Sequence, residues 1–314
     1  FEIRMYSFYA LFTVCSLYFW YKKEWKWYLI TSVLGLYTHS FFVLIPVSFI
    51  IYYFLTKQNR RRLVINTAKP LLFFLPWLPI LVNQFIRSKD SWIFPVDLQL
   101  VKSVLGNLFT NFEGTPGDWW SLTFWLSVII LVFLWMGFRQ NKKQALLFLT
   151  PIVFTLSGFL GYSYLRRPIY VNRYLIFITV FEIFGISLGI WSIKNKLLRN
   201  FTAGAFLLLV IVADFALIPS HRKTDFKTAF SEINKNAEAA NFVYTQTPIS
   251  FLESAFYYKF PEKVFIYNPN SITVPDYIGV NVVFPAVSRA DFPPPPSKTY
   301  LIKDNAAYDT VIVR

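Results

Sequence analysis

Charge is scarce in this sequence. Only 15% of its 314 residues are charged, against about 25% in a typical soluble domain. Cysteine occurs once, at Cys15, so no intrachain disulfide can form. Histidine occurs twice. There is no Walker loop, no GxGxxG, no HExxH, no CxxC and no GxSxG. Those absences argue against ATP-driven transport and soluble nucleotide chemistry. No 34- or 40-residue repeat marks a solenoid. What is abundant is apolar: 55% hydrophobic residues and 20% aromatic, with 35 Phe, 19 Tyr and 10 Trp, beside a net charge of +14. That pairing excludes a soluble globular enzyme. A disordered or nucleic-acid-binding chain would carry far fewer apolar residues. It predicts a polytopic α-helical membrane protein with its basic excess in loops on one side of the bilayer.

The charge divides near residue 220. Residues 1–219 hold 21 Lys and Arg against 8 Asp and Glu, and residues 220–314 hold 10 against 9. The expected domains are therefore a membrane domain over 1–219 and an extracytoplasmic α/β domain over 220–314. A span needs roughly 20 apolar residues. The stretches 5–21, 70–86, 121–138, 145–162, 173–191 and 202–218 qualify. The 27–55 stretch is too long for one straight span and too short for two. It is interrupted by Tyr37-Thr38-His39-Ser40. Basic loops lie at Lys22–Lys26, Lys57–Arg62, Arg139–Lys143 and Lys194–Arg199. Placing all four in the cytoplasm requires 27–55 to leave and return to one side, as two short helices meeting near His39. About eight hydrophobic helices result. Residues 2–4, the turn at His39, the loops 87–120 and 163–172 and the C-terminal domain then share the opposite face.

The polar residues that topology does not explain collect on that face. Glu2 and Tyr6 share a helix face four residues apart, with Arg4 between them. They are either an acid and a base at a polar headgroup or an interfacial charge pair beside a belt tyrosine. His39 is a metal ligand, a proton carrier or a phosphate donor, or else a turn cap. Broken helices at membrane depth are tolerated only against protein or a wet cavity. The loop 87–120 carries Asp90, Asp97, Glu113, Asp118, Trp92, Trp119 and Trp120. Asp118 beside Trp119 would cradle a sugar, or the tryptophans form an aromatic belt. Residues 97–109 are expected as an amphipathic helix lying on the surface. The run Arg166-Arg167-Pro168-Ile169-Tyr170-Val171-Asn172-Arg173 places three arginines against the positive-inside bias. Arginine grips phosphate through a planar fork of donors, so a lipid-linked phosphate would pair with them. The alternative is headgroup snorkelling. Glu182, nine residues beyond Arg173, lies too deep for a sugar and suits locking helices together.

In the C-terminal domain, 225–240 and 250–258 are expected as helices. Apolar runs at 242–244, 264–267, 280–284, 300–302 and 310–313 are expected as strands of a small α/β sheet.

Taken in order, Glu2-x-Arg4-x-Tyr6, the Tyr37-Thr38-His39 turn and Pro168-x-Tyr170-x-x-Arg173-Tyr174-Leu175 resemble the polyprenyl-phosphate-sugar glycosyltransferases of the GT-C superclass. The bacterial family akin to protein O-mannosyltransferases and the aminoarabinose transferase, glycosyltransferase family 39, is the nearest likeness. The resemblance implies a GT-C-like helical bundle in the cell inner (plasma) membrane, with the C-terminal domain outside. It implies sugar transfer from a polyprenyl-phosphate donor to a lipid, glycan or protein acceptor, with no nucleic-acid partner. Arg4, Arg166, Arg167, Tyr170 and Arg173 would contact the donor phosphate. Glu2 and His39 would meet the acceptor or a divalent metal, and Tyr6, Asp118 and Trp119 the sugar. The family's catalytic Asp is expected upstream of Phe1, which would leave this stretch inactive by itself. A lipid-linked sugar flippase or transporter, and a surface-polysaccharide polymerase or ligase, are the competing readings. A transporter would concentrate its charges near the midplane between repeats.

Overall fold

The structure is a computed structural model that describes residues 5–57, 61–87, 93, 95–110, 119–217, 224–272, 280 and 286–314. Glu2, Arg4, Asp90, Trp92, Glu113 and Asp118 lie outside the described residues. The chain divides into two compact units, Phe1–Ser220 and His221–Arg314.

The first unit is helical. Its elements are α1 (Tyr6–Lys22), α2 (Trp25–Thr38), α3 (Leu44–Leu55), α4 (Arg61–Phe74), α5 (Leu78–Arg87), α6 (Leu98–Thr110), α7 (Trp119–Gln140), α8 (Lys142–Leu165), α9 (Ile176–Trp191) and α10 (Lys196–Leu217). Among the described residues, five helical stretches are long and apolar enough to cross a membrane: Arg61–Gln84, Trp119–Gln140, Lys142–Leu165, Asn172–Trp191 and Lys196–Leu217. α1, at 17 residues, and the Ser40–Leu55 stretch are shorter. Local chemistry explains the breaks. α1 stops where Lys23 turns left-handed at φ 62°. The Leu75–Trp77 turn between α4 and α5 contains Pro76, whose missing N–H and ring oppose a regular helix. Residues 27–55 divide at His39, whose backbone is extended (φ −151°, ψ 127°) before a 3-10 turn over Ser40–Val43.

Small and hydroxyl side chains bind the bundle together, as expected where hydrophobicity alone does not drive helices to associate. Between α1, α2 and α4, Trp20 Nε1 donates to Thr67 Oγ1 at 2.9 Å and Tyr28 Oη donates to the Thr67 carbonyl at 3.0 Å. Ser16 Oγ donates to Thr31 Oγ1 at 3.1 Å and accepts from Ser32 Oγ at 3.2 Å. Gly106 of α6 lies directly against the Thr123 backbone of α7, and Gly189 of α9 against that of Phe133. No side chain larger than hydrogen fits either contact.

One expectation fails here. The 97–109 helix does not lie on the surface. Leu98 and Val101 are exposed, but Ser103, Val104, Leu105, Gly106, Asn107, Leu108 and Thr110 are buried. The Gly106 contact, together with the Gly106 N–H donating to Ser127 Oγ at 2.8 Å, packs α6 against α7. An apolar stripe does not distinguish a lipid surface from a neighbouring helix; the small residues beside it do.

The second unit is a five-stranded sheet with two helices, α11 (Phe226–Lys235) and α12 (Pro248–Tyr257). Its strands are β1 (Phe242–Thr245), β2 (Val264–Tyr267), β3 (Ser288–Arg289), β4 (Ser297–Ile302) and β5 (Tyr308–Val313). The order is β3-β2-β1-β4-β5, with β5 antiparallel to β4 and the other pairings parallel. Alternation along the strands assigns two faces. Val243, Val264, Ile266, Tyr300 and Ile302 join Phe226, Phe230, Ile233 and Phe251 in the core. Asp225 caps α11 by accepting from the Thr228 N–H at 3.0 Å, and Thr247 with Ser250 forms a capping box on α12. α11 ends at Lys235, short of residue 240. It ends there because Asn236 leaves the helical conformation. Of the expected strand at 280–284, residues 281–284 lie outside the described residues; the strand beside β2 is Ser288–Arg289.

Candidate functional site

Three segments far apart in the chain meet around His39. The end of α2 delivers the imidazole, which is 9% exposed. The Phe41 N–H donates to His39 Nδ1 at 3.2 Å, so a neutral ring carries its proton on Nε2. From α1, the Tyr9 ring stacks on His39 at 4.8 Å between centroids and 4° between planes, and Tyr6 lies 6.2 Å away. From the segment after α8, Tyr174 lies 5.5 Å away and Phe41 completes the ring cluster at 5.3 Å. The Tyr9 hydroxyl is fully buried and has no hydrogen-bond partner among the described residues. A buried hydroxyl in that state costs free energy, so it marks a place where a polar group is wanted.

The arginine segment reaches this cluster by a defined route. α8 ends at Leu165, and the chain runs without regular structure to a 3-10 turn over Asn172–Leu175. The Ile169 N–H donates to Ser163 Oγ at 3.1 Å. Asn172, buried, donates through Nδ2 to the Asn107 carbonyl at 3.3 Å. One turn into α9, Thr179 Oγ1 donates to the Leu108 carbonyl at 3.0 Å. The C-terminal end of α6 therefore anchors the segment on both sides of Arg173. Tyr170 is buried, Arg167 and Arg173 are half-buried, and Arg166 is exposed. Arg173 immediately precedes Tyr174, the residue of this turn whose ring lies near His39.

Other candidates stand apart or cannot be placed. Trp119 opens α7, half-buried, and makes no ring contact with the His39 cluster among the described residues. Glu2, Arg4 and Asp118 fall outside the described residues. Glu182 is fully buried in α9, and neither carboxyl oxygen has a hydrogen-bond partner among the described residues. Around His39 the described neighbours are aromatic. Among the described residues no group of three His, Cys, Asp or Glu gathers to hold a metal, and His39 Nδ1 is already engaged. The described residues thus do not fit a metal centre.

Reading the sequence alone missed Tyr9, Asn107 and Asn172. Tyr9 is hidden in an apolar helix, although its spacing of three from Tyr6 places both on one face. Asn107 is a polar residue amid the apolar stripe of α6, beside Gly106 and four residues after Ser103, and that pattern is a legible sign of a packed rather than lipid-facing helix.

The chain matches no family model, no curated protein and no solved structure. Its architecture defines a class nonetheless: a mostly helical chain with, among the described residues, five apolar helices suited to membrane insertion, and a small mixed sheet at its C-terminal end.

Proposed function

We propose that this chain belongs to a membrane glycosyltransferase of the GT-C type, akin to glycosyltransferase family 39, which moves a sugar from a polyprenyl-phosphate donor to an acceptor on the extracytoplasmic face. The observation that carries this reading is the convergence of Tyr6, His39 and the Arg173-Tyr174 turn. All three fall on one side of the membrane when the basic loops face the cytoplasm.

In such a transfer an acceptor oxygen attacks the anomeric carbon. The bond from that carbon to the lipid phosphate oxygen breaks, and negative charge grows on the departing phosphate. Arg173, with Arg166 and Arg167 in the preceding loop, answers that charge with bidentate donors held beforehand. The anchoring of Asn172 to α6 limits the reorganisation needed at that moment. A base must take the acceptor proton. Glu2 is the residue proposed to meet the acceptor. Tyr170 and Arg4 are proposed as further phosphate contacts, and Asp118 and Trp119 as sugar contacts.

A second reading, a flippase for the same lipid-linked sugar, is favoured by the buried carboxyl of Glu182, which has no hydrogen-bond partner among the described residues, because carboxyl groups inside a bundle mark transport paths. One experiment separates the two. In the full-length protein, Arg173→Ala should cut transfer from a polyprenyl-phosphate sugar by about 100-fold or more, as expected when a group that stabilises developing charge is removed. Arg173→Lys should recover only part, because ammonium lacks the fork. Wild-type transfer by Arg173→Ala sinks the clamp. Translocation without transfer, abolished by Glu182→Gln, selects the flippase.

A further inference from the structure

The C-terminal sheet has a second face, and its composition is unusual for a face turned away from the core. Phe242 and Tyr244 of β1 and Phe265 and Tyr267 of β2 alternate with the core residues and so project from the opposite side. Phe242, Tyr244 and Phe265 line a pocket of about 500 Å³, within the roughly 300–1,000 Å³ typical of small-ligand sites. Tyr244, buried, forms the floor, with Phe265 5.7 Å and Phe292 5.3 Å from it in tilted and edge-on geometry. Phe242 closes a third side.

The walls are fixed in place. Phe292 stacks on Tyr267 at 4.7 Å and 9°. The Tyr244 hydroxyl donates to the Asp291 carbonyl at 3.1 Å, and the Asn268 N–H donates to the Arg289 carbonyl at 2.8 Å. Two charges of opposite sign line the same pocket, Arg289 and Asp291. Arg289 lies over the Phe265 ring at 5.2 Å. Arg289 and Asp291 are both exposed, and among the described residues they form no ion pair with each other.

Aromatic walls with a guanidinium and a carboxylate set two demands on an occupant. It must offer an apolar face with slightly positive hydrogens to the negative faces of the rings. It must also offer hydroxyl groups, which donate to Asp291 and accept from Arg289. A wholly apolar occupant would strip water from both charges without replacing it, at a cost. A proline-rich peptide offers rings of the right shape, but proline has no N–H for Asp291. A pyranose ring meets both demands, with C–H bonds on its faces and hydroxyls around its edge.

We infer that this aromatic pocket on the outer face of the C-terminal sheet is a glycan-binding site, with sugar rings stacked among Phe242, Phe265 and Phe292 and their hydroxyls held by Asp291 and Arg289. The inference does not depend on the chain being a transferase, because binding is read without transfer.

The test uses the full chain in nanodiscs and saturation-transfer NMR with three disaccharides: maltose, chitobiose and digalacturonate. Decaproline and empty nanodiscs serve as comparators. At least one disaccharide should bind saturably, with saturation strongest at its ring C–H protons. Asp291→Asn and Phe292→Ala should each weaken that binding at least tenfold, and Lys298→Gln, outside the pocket, should leave it unchanged. Hydrogen exchange over 242–267 should match the wild type in each variant, which separates lost binding from lost folding. Absence of saturable binding for all three sugars overturns the inference. So does sugar binding that survives both pocket substitutions, and so does binding of decaproline alone, which would make the pocket a peptide-docking site.

Discussion

A pair of glycine substitutions with opposite expected signs tests how the bundle is packed. A Cβ added at Gly106 of α6 would lie 2.8 Å from the Thr123 carbonyl carbon and 2.9 Å from Thr123 Cα, and closer still to the carbonyl oxygen. An unstrained carbon contact is about 3.5–4.0 Å. The obstacle is backbone, so no rotamer change relieves it, and α6 must retreat from α7 by roughly 1 Å. Overpacking of this kind costs about 1–3 kcal/mol. Better helix propensity returns only about 0.5–1 kcal/mol. Gly158→Ala in α8 meets nothing within 4 Å and keeps the propensity gain alone. For a unit near 200 residues, 1 kcal/mol corresponds to roughly 2–4 °C in Tm. Gly106→Ala should therefore lower the midpoint by several degrees and Gly158→Ala should raise it slightly, read by tryptophan fluorescence of the purified chain on heating. The Gly106 variant should also loosen the Asn172–Asn107 and Thr179–Leu108 bonds that hold the Arg173 turn, so hydrogen exchange over 172–179 should quicken. Equal midpoints for the two variants would refute the close α6–α7 contact.

Two further expectations concern other parts of the molecule. Thr67→Val removes the acceptor of Trp20 Nε1, which is buried between α1 and α4. Leaving that N–H unpaired should cost about 1–3 kcal/mol, whereas Thr67→Ser should keep most of the stability; a Val variant as stable as the Ser variant in thermal unfolding would count against the bond. In the C-terminal unit, burial, then the neighbouring Tyr300 and Glu262, pushes the Tyr258 hydroxyl up from 10.0 to about 12. The folded form therefore holds this proton longer than the unfolded form. The associated stability is fully present below pH 10 and is lost as pH rises through about 12. Tyr258→Phe gives up a hydrogen bond to the Asn241 carbonyl, 3.3 Å long, so it should be slightly less stable at pH 8 yet lose less between pH 8 and pH 11. Circular dichroism at the two pH values checks this, and parallel losses would refute it.

Much of the helical unit is legible in the residues. The break at His39 follows from a polar patch inside an apolar stretch too long for one helix, and the structure breaks the chain there. The expected single span at 70–86 is instead interrupted by a 3-10 turn at Leu75–Trp77, where Pro76 opposes a regular helix. The α6 surface reading failed because Leu98, Val101, Leu105 and Leu108 satisfy an amphipathic stripe equally well against lipid or against a helix. The residues beside the stripe, Ser103, Gly106 and Asn107, point to a packed helix, and the meeting of Gly106 with Thr123 shows the partner. The arginines at 166, 167 and 173 were conspicuous because they contradict the charge bias around them. Tyr9, whose stacking on His39 organises the cluster, was not, since a tyrosine in an apolar helix is unremarkable until its neighbour is known.

The amino-acid sequence alone determined which stretches are apolar and largely helical, and that this chain suits an apolar environment, because length and periodicity act through neighbours along the chain. It also set the alternation that divides the C-terminal strands into two faces. Only the tertiary structure decided that Tyr6, Tyr9, His39 and Tyr174 share one site, that Asn107 holds Asn172, and that Phe242, Tyr244, Phe265 and Phe292 enclose a pocket with Arg289 and Asp291. Contacts between residues tens to more than a hundred positions apart depend on how helices and strands pack, and small residues such as Gly106 decide that packing through distances that no local pattern encodes.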